Sequence, residues 1–392
     1  MENVISVGLI GIGNMGSAHA SAVGGGRIQG LRLAAVCDIA PDRLALCMER
    51  NPGVKGYADW HELIRDPEVE AVIVAVPHPM HATIAMEALR AGKHILTEKP
   101  VDISVTKAKA LNEVARETGK VFGIMFNQRT NPLFARAREI IKNGELGDLI
   151  RSVWIITNWF RTQSYYDSGT WRATWAGEGG GVLLNQAPHN LDLWQWVCGM
   201  PSEITGFCDI AKYHEIEVED DVTIFARYEN GATGVFITTT GEYPGTNRLE
   251  ISGTRGKIVI EEGKLKWWKL SQDVRDVSRN APENFSGIDM VVEEIPQDTP
   301  ETAHAGILKN FADAMLYGAE LLAPGTDGIY ELSISNAAYL SAAKGNAPVS
   351  LPLDGAEFDA MLAKLVEKST EKSGGPNDRY NTQYHARWQI RW

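Results

Sequence analysis

The sequence contains few cysteines, and they form no recognisable motif. Cys37, Cys47, Cys198 and Cys208 show neither C-x-x-C spacing nor the density of a disulfide-stabilised secreted protein. The first residues also lack the basic and apolar pattern of a signal peptide. Together these absences predict a protein of the reducing cytoplasm.

Positive charge and long apolar runs are scarce as well. There are 38 Lys and Arg residues against 50 Asp and Glu residues, which gives a formal net charge of −12. Nucleic acid and anionic membrane surfaces would repel such a chain. No uninterrupted apolar run approaches the roughly 20 residues that a bilayer-spanning helix needs. We therefore expect neither a nucleic-acid partner nor a membrane partner.

The first third of the chain alternates short apolar segments with helical patterns. At 392 residues the chain is long for a single core, so two domains are expected. Strands are predicted at residues 4–10, 31–37, 71–76, 94–96 and 121–125, and helices at residues 41–49, 60–64, 81–91 and 105–118. Repeated units of this kind predict an α/β domain with a doubly wound parallel sheet, at residues 1–127.

After residue 127 the pattern changes to longer alternating runs. A helix is predicted at residues 133–143, followed by strands at 151–159, 222–228, 234–239, 248–252, 257–260 and 265–270 and by helices at 305–322 and 328–343. These runs predict an α+β domain with a large, mainly antiparallel open sheet covered on one face. We assign this domain to residues 128–360, and a C-terminal helix and tail to residues 361–392.

A dinucleotide-binding turn follows the first strand. The apolar run that begins at Val7 leads into G-x-G-x-x-G, where Gly11 permits the tight turn, Gly13 lets the backbone approach a pyrophosphate, and Gly16 allows close packing of helix on strand. Asn14 and Met15 lie where the next helix starts, and its free N–H groups would face the phosphates. This is the start of a Rossmann domain.

Asp38 indicates which cofactor is used. It closes the second predicted strand, 22 residues after Gly16, where an acidic residue binds the adenosine ribose hydroxyls. A carboxylate at this place would repel a 2′-phosphate, so NAD is favoured over NADP.

Three further segments carry a family resemblance. They are A-V-P-H-P-M-H at residues 75–81, A-G-K-H-I-L-T-E-K-P at residues 91–100 and G-G-G-V-L-L-N-Q-A-P-H at residues 179–189. The chain resembles the Gfo/Idh/MocA oxidoreductases, the family of glucose-fructose oxidoreductase and inositol dehydrogenase, from Val4 to about Leu353. The resemblance implies substrates that are sugars, sugar derivatives or cyclitols. It also implies a homodimer or homotetramer, because the open sheet face often forms the subunit interface in such relatives.

The same resemblance assigns roles around the cofactor. Lys99, within Glu98-Lys99-Pro100, would be the catalytic lysine. Pro77 and His81 would flank the nicotinamide end, and Trp171-Arg172 resembles a pair that the family places near the cofactor and active site. Oxidising an alcohol needs a proton acceptor while hydride leaves for nicotinamide C4. A partly buried lysine beside a cationic ring can supply a neutral amine for that purpose.

His189 is the second predicted proton carrier, and Asn185 is a departure from the family. Family members commonly carry an aspartate four residues before the histidine. Asn185 can orient the substrate or His189 by hydrogen bonds, but it supplies no negative charge. Asp192, three residues after His189, is a candidate to compensate for the missing carboxylate.

Aromatic and amide side chains suggest the substrate. Sugar rings pack on aromatic planes, so Trp171 or Trp175 is expected to line a sugar site, and Asn127 could bind hydroxyl groups. His78 and His81 have no third ligand of suitable spacing, so no metal site is predicted.

The sequence leaves three hypotheses open. The first is an NAD-dependent dehydrogenase that oxidises a ring hydroxyl of a sugar, glycoside or cyclitol, with C3 of a pyranoside favoured. The second is a redox-neutral enzyme that cleaves a glycosidic bond with tightly bound NAD. The third is a non-catalytic dinucleotide sensor.

Overall fold

A computed structural model describes residues 3–370 of the chain. Most of the segment predicted as a C-terminal helix and tail, from residue 371 onward, lies outside the described residues. Within the described part, no helix is long and apolar enough to cross a membrane.

The first domain contains the predicted parallel sheet. Its six strands run in the order β3-β2-β1-β4-β5-β6, and each neighbouring pair is parallel. The strands are β1 Ile5–Ile10, β2 Leu31–Cys37, β3 Lys55–Tyr57, β4 Ala71–Val74, β5 His94–Thr97 and β6 Phe122–Ile124. The connecting helices are α1 Asn14–Gly24, α2 Pro41–Arg50, α3 Trp60–Arg65, α4 His81–Arg90 and α5 Val105–Thr118. The doubly wound Rossmann sheet is therefore confirmed.

The second domain is built on a nine-stranded sheet. Its order is β14-β13-β12-β11-β7-β10-β9-β8-β15, and β10 with β7 is the only parallel pair among the described strands of this second sheet. The strands are β7 Leu149–Ile156, β8 Glu203–Ile210, β9 Glu219–Arg227, β10 Thr233–Thr239, β11 Asn247–Gly253, β12 Gly256–Glu261, β13 Lys264–Leu270, β14 Met290–Pro296 and β15 Val349–Ser350. The prediction of a large, mainly antiparallel sheet is confirmed.

The helices of this part of the chain are α6 Pro132–Lys142, α7 Gln163–Tyr166, α8 Val182–Asn185, α9 Pro188–Cys198, α10 Val274–Asn280, α11 Ala303–Tyr317, α12 Gly328–Ala343 and α13 Gly355–Glu367. Of these, α6, α8, α9 and α12 pack on one face of the sheet. Trp194 of α9 packs on Phe236 of β10 with ring centroids 5.5 Å apart, and its indole N–H donates to Ser152 Oγ at 2.9 Å. The prediction for α11 ran too far, to residue 322. Gly318 adopts a left-handed φ of 70° and ends the helix there.

The other face of the sheet carries apolar side chains in adjacent register. Val235 lies opposite Val153 and Phe225, and Ile237 lies opposite Ile155. These five side chains are half-buried, whereas the residues that alternate with them are buried under the helices. We call them the outer-face patch.

A buried arginine lies where the first domain meets the second. Arg129 lies in the 3-10 turn Asn127–Thr130 that follows β6. Its guanidinium donates to Asp192 Oδ1 at 2.7 Å and to Asp327 Oδ2 at 2.8 Å. Both carboxylates belong to the second domain's half of the chain, so these ion pairs fix the last strand of the first sheet against α9 and the start of α12.

Candidate active site

The glycine turn after β1 has the geometry that a dinucleotide needs. Gly11 has a φ of 89°, and a Cβ placed on it would lie 2.4 Å from the Ala75 carbonyl oxygen. A Cβ on Gly16 would lie 1.9 Å from the Gly11 carbonyl oxygen. Gly13 has no described atom within 4 Å of such a position. The first and third glycines are therefore required by packing, and the second faces open space.

The N-terminus of α1 points into that space. Helix α1 begins at Asn14 directly after Gly13, and no side chain of the described residues caps it. Asn14 is exposed, Met15 is half-buried, and the first turn holds no acidic residue. Free amide donors and the positive end of the helix dipole suit a pyrophosphate. The residues present thus fit the phosphates of NAD.

Asp38 is held beside the same turn. It follows β2, and its Oδ2 accepts from the Ile12 amide at 2.6 Å while Oδ1 accepts from the Ala40 amide at 2.8 Å. Each carboxylate oxygen keeps a further lone pair for a ribose hydroxyl. The predicted ribose residue is therefore bonded directly to the phosphate-binding turn.

Pro77 and His81 lie at the carboxyl end of β4. Pro77 is exposed and precedes the 3-10 turn His78–Met80. His81 is buried, and its two ring nitrogens lie 2.7 Å from the carbonyl oxygens of Pro100 and Val76. Its ring therefore connects the loop after β4 to the loop after β5, which carries Lys99.

Glu98 faces helix α1 within this arrangement. Its Oε1 lies 2.6 Å from Nε2 of His19, and both side chains are buried. Burial acts to raise the pKa of Glu98, but the bond to His19 and the charges of His19, His304 and Lys99 lower it to about 2. The carboxylate therefore stays ionised and anchors the Lys99 loop on α1.

Lys99 reaches from the first domain to the second. Its Nζ donates to the main-chain carbonyl of Asn185 at 2.6 Å. Burial lowers the pKa of Lys99, while the carboxylates of Glu98, Glu331 and Glu178 oppose that shift. A fraction of neutral amine is therefore accessible at a lower pH than for a solvated lysine.

His189 lies at the start of α9 and is buried. Its Nδ1 has no hydrogen-bond partner among the described residues, and the ring meets Phe126 edge-on with centroids 6.4 Å apart. Burial, with the added charges of Lys99 and His304, holds the pKa of His189 well below its usual range. The imidazole is therefore neutral at neutral pH, and its Nδ1 is open to a hydrogen bond with a bound ligand.

Asn185 lies at the end of α8 and contacts two side chains that the sequence analysis missed. Its Nδ2 donates to Glu178 Oε1, and its Oδ1 accepts from the Tyr165 hydroxyl at 3.4 Å. Arg172 Nη1 donates to that hydroxyl at 2.6 Å. The only local signal was the position of Glu178, directly before the glycine run.

The two candidate tryptophans have different surroundings. Trp171 is half-buried, and its ring meets His78 edge-on at 5.7 Å. Trp175 is buried, donates its indole N–H to the Glu217 carbonyl at 2.7 Å and packs on Tyr339. Trp175 is therefore placed as a core residue, and we leave it out of the proposed substrate site.

Asn127 and Asp192 also differ in whether their side chains are available to a ligand. Asn127 is buried with an Oδ1 that has no partner among the described residues, so it keeps an acceptor available. Asp192 is bound by Arg129 and by Gln195 Nε2 at 3.0 Å. Because those contacts occupy Asp192, it does not replace the carboxylate that position 185 lacks.

A surface cavity of about 440 Å³ lies beside the Trp171 loop. It is lined by Thr170, Trp171, Thr174, Ala176, Gly177, Ser369 and Thr370. Since Lys99, Asn185 and His189 do not line it, this cavity is separate from the catalytic groups. Within residues 3–370, no group of three His, Cys, Asp or Glu side chains is arranged to hold a metal ion.

Family models match both halves of the chain. An oxidoreductase family model with an NAD-binding Rossmann fold matches residues 5–126, and a GFO/IDH/MocA C-terminal domain model matches residues 134–259. The chain belongs to the GFO/IDH/MocA oxidoreductase family. It is an NAD-binding oxidoreductase.

Several named dehydrogenases are similar to this chain over most of its length. Levoglucosan dehydrogenase of Pseudarthrobacter phenanthrenivorans is 29% identical over 66% of this chain and 74% of its own length. The scyllo-inositol 2-dehydrogenase (NAD(+)) of Bacillus subtilis is 28% identical over 66% of this chain and 75% of its own. The crystal structure of WlbA dehydrogenase from Chromobacterium violaceum, in complex with NADH and UDP-GlcNAcA, superimposes with a TM-score of 0.77 at 26% identity and covers 90% of this chain and 98% of that one.

Proposed function

We propose that this protein is an NAD-dependent dehydrogenase that oxidises a secondary ring hydroxyl of a sugar, glycoside or cyclitol. One observation carries the proposal. The amine of Lys99 is partly buried, bonds a main-chain carbonyl, and lies in the same site as a neutral His189. This pair lies at the carboxyl edge of the first sheet, where doubly wound folds bind ligands and where the glycine turn is also found.

The residues can perform the proton transfer that an alcohol oxidation requires. The Asn185 carbonyl, 2.6 Å from Lys99 Nζ, marks where a hydrogen-bonding group reaches the amine. A substrate hydroxyl bound beside that carbonyl would give its proton to the neutral amine as the C–H bond breaks. When bound, NAD would accept the hydride at nicotinamide C4. His189 would take the proton from Lys99 or hold a neighbouring hydroxyl.

The proposed substrate is a six-membered ring with secondary hydroxyls. The named family members act on levoglucosan and scyllo-inositol, and the WlbA dehydrogenase binds UDP-GlcNAcA. Trp171 offers an aromatic face and Asn127 an acceptor, which suit a pyranoside. We favour oxidation at C3, because the hydroxyls on the two neighbouring carbons can both be hydrogen-bonded by the protein.

A redox-neutral glycoside-cleaving activity is the second candidate. It would oxidise a ring hydroxyl, remove the now acidic proton on the adjacent carbon, expel the leaving group, add water, and return the hydride to the ring. The Nδ1 of the neutral His189, which has no partner within residues 3–370, favours it, because proton removal from carbon needs a second base beside Lys99.

We also propose a homodimer or homotetramer that assembles through the outer-face patch. The patch is apolar, continuous across three strands and only half-buried within one chain. A cytoplasmic setting is proposed because the four cysteines are free thiols.

The proposal is tested by reduced-nicotinamide formation with NAD and a panel of pyranosides, free sugars and cyclitols. Wild-type protein should give a saturable signal with one class of ring. Lys99→Met should lose activity by about a hundredfold or more, because general acid–base groups contribute roughly 10²–10⁴ in rate. Lys142→Met, at an exposed position on α6, is the matched control and should behave as wild type.

Two outcomes distinguish the alternatives. Cleavage of a glycoside without net reduced nicotinamide, with solvent deuterium incorporated next to the oxidised carbon, would favour the redox-neutral enzyme. Full enzymatic activity of Lys99→Met would contradict the role of Lys99 in both catalytic proposals. Binding of NAD without turnover of any ring compound or glycoside would favour the dinucleotide sensor.

A further inference from the structure

The side chain of Asn185 is held at both ends by groups that define its orientation. Its Nδ2 donates to Glu178 Oε1, and its Oδ1 accepts from the Tyr165 hydroxyl. A carboxylate oxygen without a proton only accepts hydrogen bonds, so the amide nitrogen faces Glu178. The main-chain carbonyl of the same residue receives Lys99 Nζ. One residue therefore links Glu178 to the proposed catalytic lysine.

The hydroxyl of Tyr165 prevents the amide from reversing. It accepts from Arg172 Nη1 at 2.6 Å and from Gln186 Nε2 at 3.1 Å. Because a hydroxyl has two lone pairs, both are taken, and its proton remains for Asn185 Oδ1. An inverted amide would present two N–H groups to a hydroxyl that can accept no further bond.

Glu178 is itself fixed by the loop that carries Trp171 and Arg172. It is 1% exposed, and its Oε2 accepts from the Ala173 amide at 2.6 Å. Ala173 has a φ of 55°, in the left-handed region that alanine seldom adopts, so the turn depends on such a contact. The Glu178 carbonyl also lies 3.1 Å from His78 Nδ1.

We propose that Glu178 is a positioning residue of the active site, which supplies through Asn185 the carboxylate that position 185 itself lacks. It orients the Asn185 amide, holds the Arg172 turn and, when ionised, places one negative charge near Lys99. Burial raises the pKa of Glu178, while Arg172, the hydrogen bonds from Ala173 and Asn185, and Lys99 oppose that shift. The proposal rests on the proposed dehydrogenase function for its kinetic consequences. Its structural consequences do not depend on that function.

The hydrogen-bond pattern allows the carboxylate of Glu178 and the amide of Asn185 to be exchanged only when both residues are substituted together. Asn185→Asp places a carboxylate against the Glu178 carboxylate, which is repulsive unless they share a proton. Glu178→Gln must accept from Ala173 and therefore turns its own NH₂ toward the Asn185 NH₂. In the double variant, the new glutamine accepts from Ala173 and donates to the new aspartate, whose other carboxylate oxygen accepts from Tyr165. The double variant therefore keeps every one of these hydrogen bonds, and the negative charge moves from position 178 to position 185.

The kinetic test compares the four proteins with NAD and the active substrate. Each single variant should lose kcat/KM by about tenfold to a hundredfold, because a mismatched buried hydrogen bond costs roughly 1–3 kcal/mol. The double variant should recover most of that loss. The matched control is Asn185→Asp combined with Glu219→Gln. Glu219 is another buried carboxyl, bound by Gly181, Leu183 and Tyr339, and its substitution should not rescue activity.

A pH profile separates a charge effect from simple packing. The groups that face Lys99 are Glu98, Glu178, Glu331, Arg172, His78, His81, His189 and His304. Removing one carboxylate lowers the pKa of the amine, so the limb where kcat/KM rises with pH should move to lower pH in Glu178→Gln. It should return towards its wild-type position in the double variant, where a carboxylate is retained.

Thermal unfolding of the same four proteins supplies a readout that needs no substrate. We expect the Tm of the double variant to be higher than the Tm calculated by adding the changes of the two single variants. If a single variant fails to fold, a folded double variant supports the pairing and an unfolded one overturns it. Additive effects on both Tm and kcat/KM would overturn it too. A wild-type protein without dehydrogenase activity would contradict only the proposed function, since the thermal comparison would still decide the pairing.

Discussion

Asp38 is the residue on which we expect the preference for NAD over NADP to depend. Its carboxylate bonds the Ile12 and Ala40 amides and keeps lone pairs for ribose hydroxyls. We expect Asp38→Ser to weaken NAD binding by about tenfold or more, since hydrogen bonds to a charged group contribute roughly 1.5–3 kcal/mol. NADP binding should change little or improve, because the repulsion of its 2′-phosphate is removed. Titration of nicotinamide fluorescence with both reduced cofactors measures this, and an equal loss for both would refute the ribose assignment.

Lys99 and His189 together determine the expected pH dependence. Oxidation needs the neutral amine, so kcat/KM should be lost as pH falls through the Lys99 pKa, which burial places below the ordinary 10.5. His189 is neutral across the same range, because its pKa lies well below 6.5. A profile of kcat/KM from about pH 6 to about pH 10 should therefore show one limb. His189→Asn should lower kcat without moving that limb, and a limb that vanished in this variant would contradict the assignment.

At the residue scale, the sequence predicted the site residues that belong to local motifs better than those that depend on contacts between distant parts of the chain. The glycine turn and Asp38 belong to one βα unit, so their spacing predicted that they lie together. Lys99 and Asn185 are separated by 86 positions and were associated only through family resemblance. Tyr165 and Glu178 have no motif of their own, because their side-chain partners are set by how loops of the second domain fold on one another.

At the scale of elements, Glu219 binds the first turn of α8, the short helix that carries Asn185. It starts β9 and accepts from the Gly181 and Leu183 amides at 2.8 and 3.0 Å and from the Tyr339 hydroxyl at 2.7 Å. Burial raises its pKa to about 7, although these bonds oppose the shift. The folded protein thus binds a proton here that the unfolded chain, with a pKa near the ordinary 4.5, releases.

The stability contribution of this proton has a defined sign. It is fully present below about pH 4.5 and is lost as pH rises to about 7, since the folded state holds the proton more tightly. The free energy of unfolding of the wild type should therefore fall relative to that of Glu219→Gln by roughly 3 kcal/mol between those limits. Urea unfolding of both proteins at about pH 4.5, 6 and 7.5 tests this. A difference between them that is independent of pH would contradict the raised pKa.

Element prediction failed where strands are short or polar. Strand β3 has only three residues, one of them a lysine and one a glycine, so its apolar signal is weak. Strand β14 is largely exposed on the sheet edge, and β15 has two residues. Strand β8 buries few side chains, because only part of its length is covered by α12. Their pairing comes from neighbouring strands rather than from their own pattern.

At the scale of the whole molecule, the proposed active site depends on both domains. The first domain contributes the glycine turn, Asp38 and Lys99, and the second contributes Asn185 and His189. Arg129, which follows the last strand of the first sheet, is bound by Asp192 and Asp327 and holds the junction between the domains. Composition and periodicity predicted both sheets, but the buried ion pairs at their junction join positions 63 and 198 residues apart. No local sequence pattern predicts ion pairs between residues that are so far apart along the chain.

The outer-face patch gives the last prediction, which concerns assembly. Its five side chains present a continuous apolar surface that a second chain would bury. We expect sedimentation velocity to find a dimer or tetramer for the wild type. Ile237→Lys should shift it towards monomer, because a charge buried in such an interface without a partner is costly. Val366→Lys, on the surface of α13, is the control and should keep the wild-type assembly. A monomeric wild type would contradict the proposed interface, and so would an Ile237→Lys protein that stays folded and fully assembled.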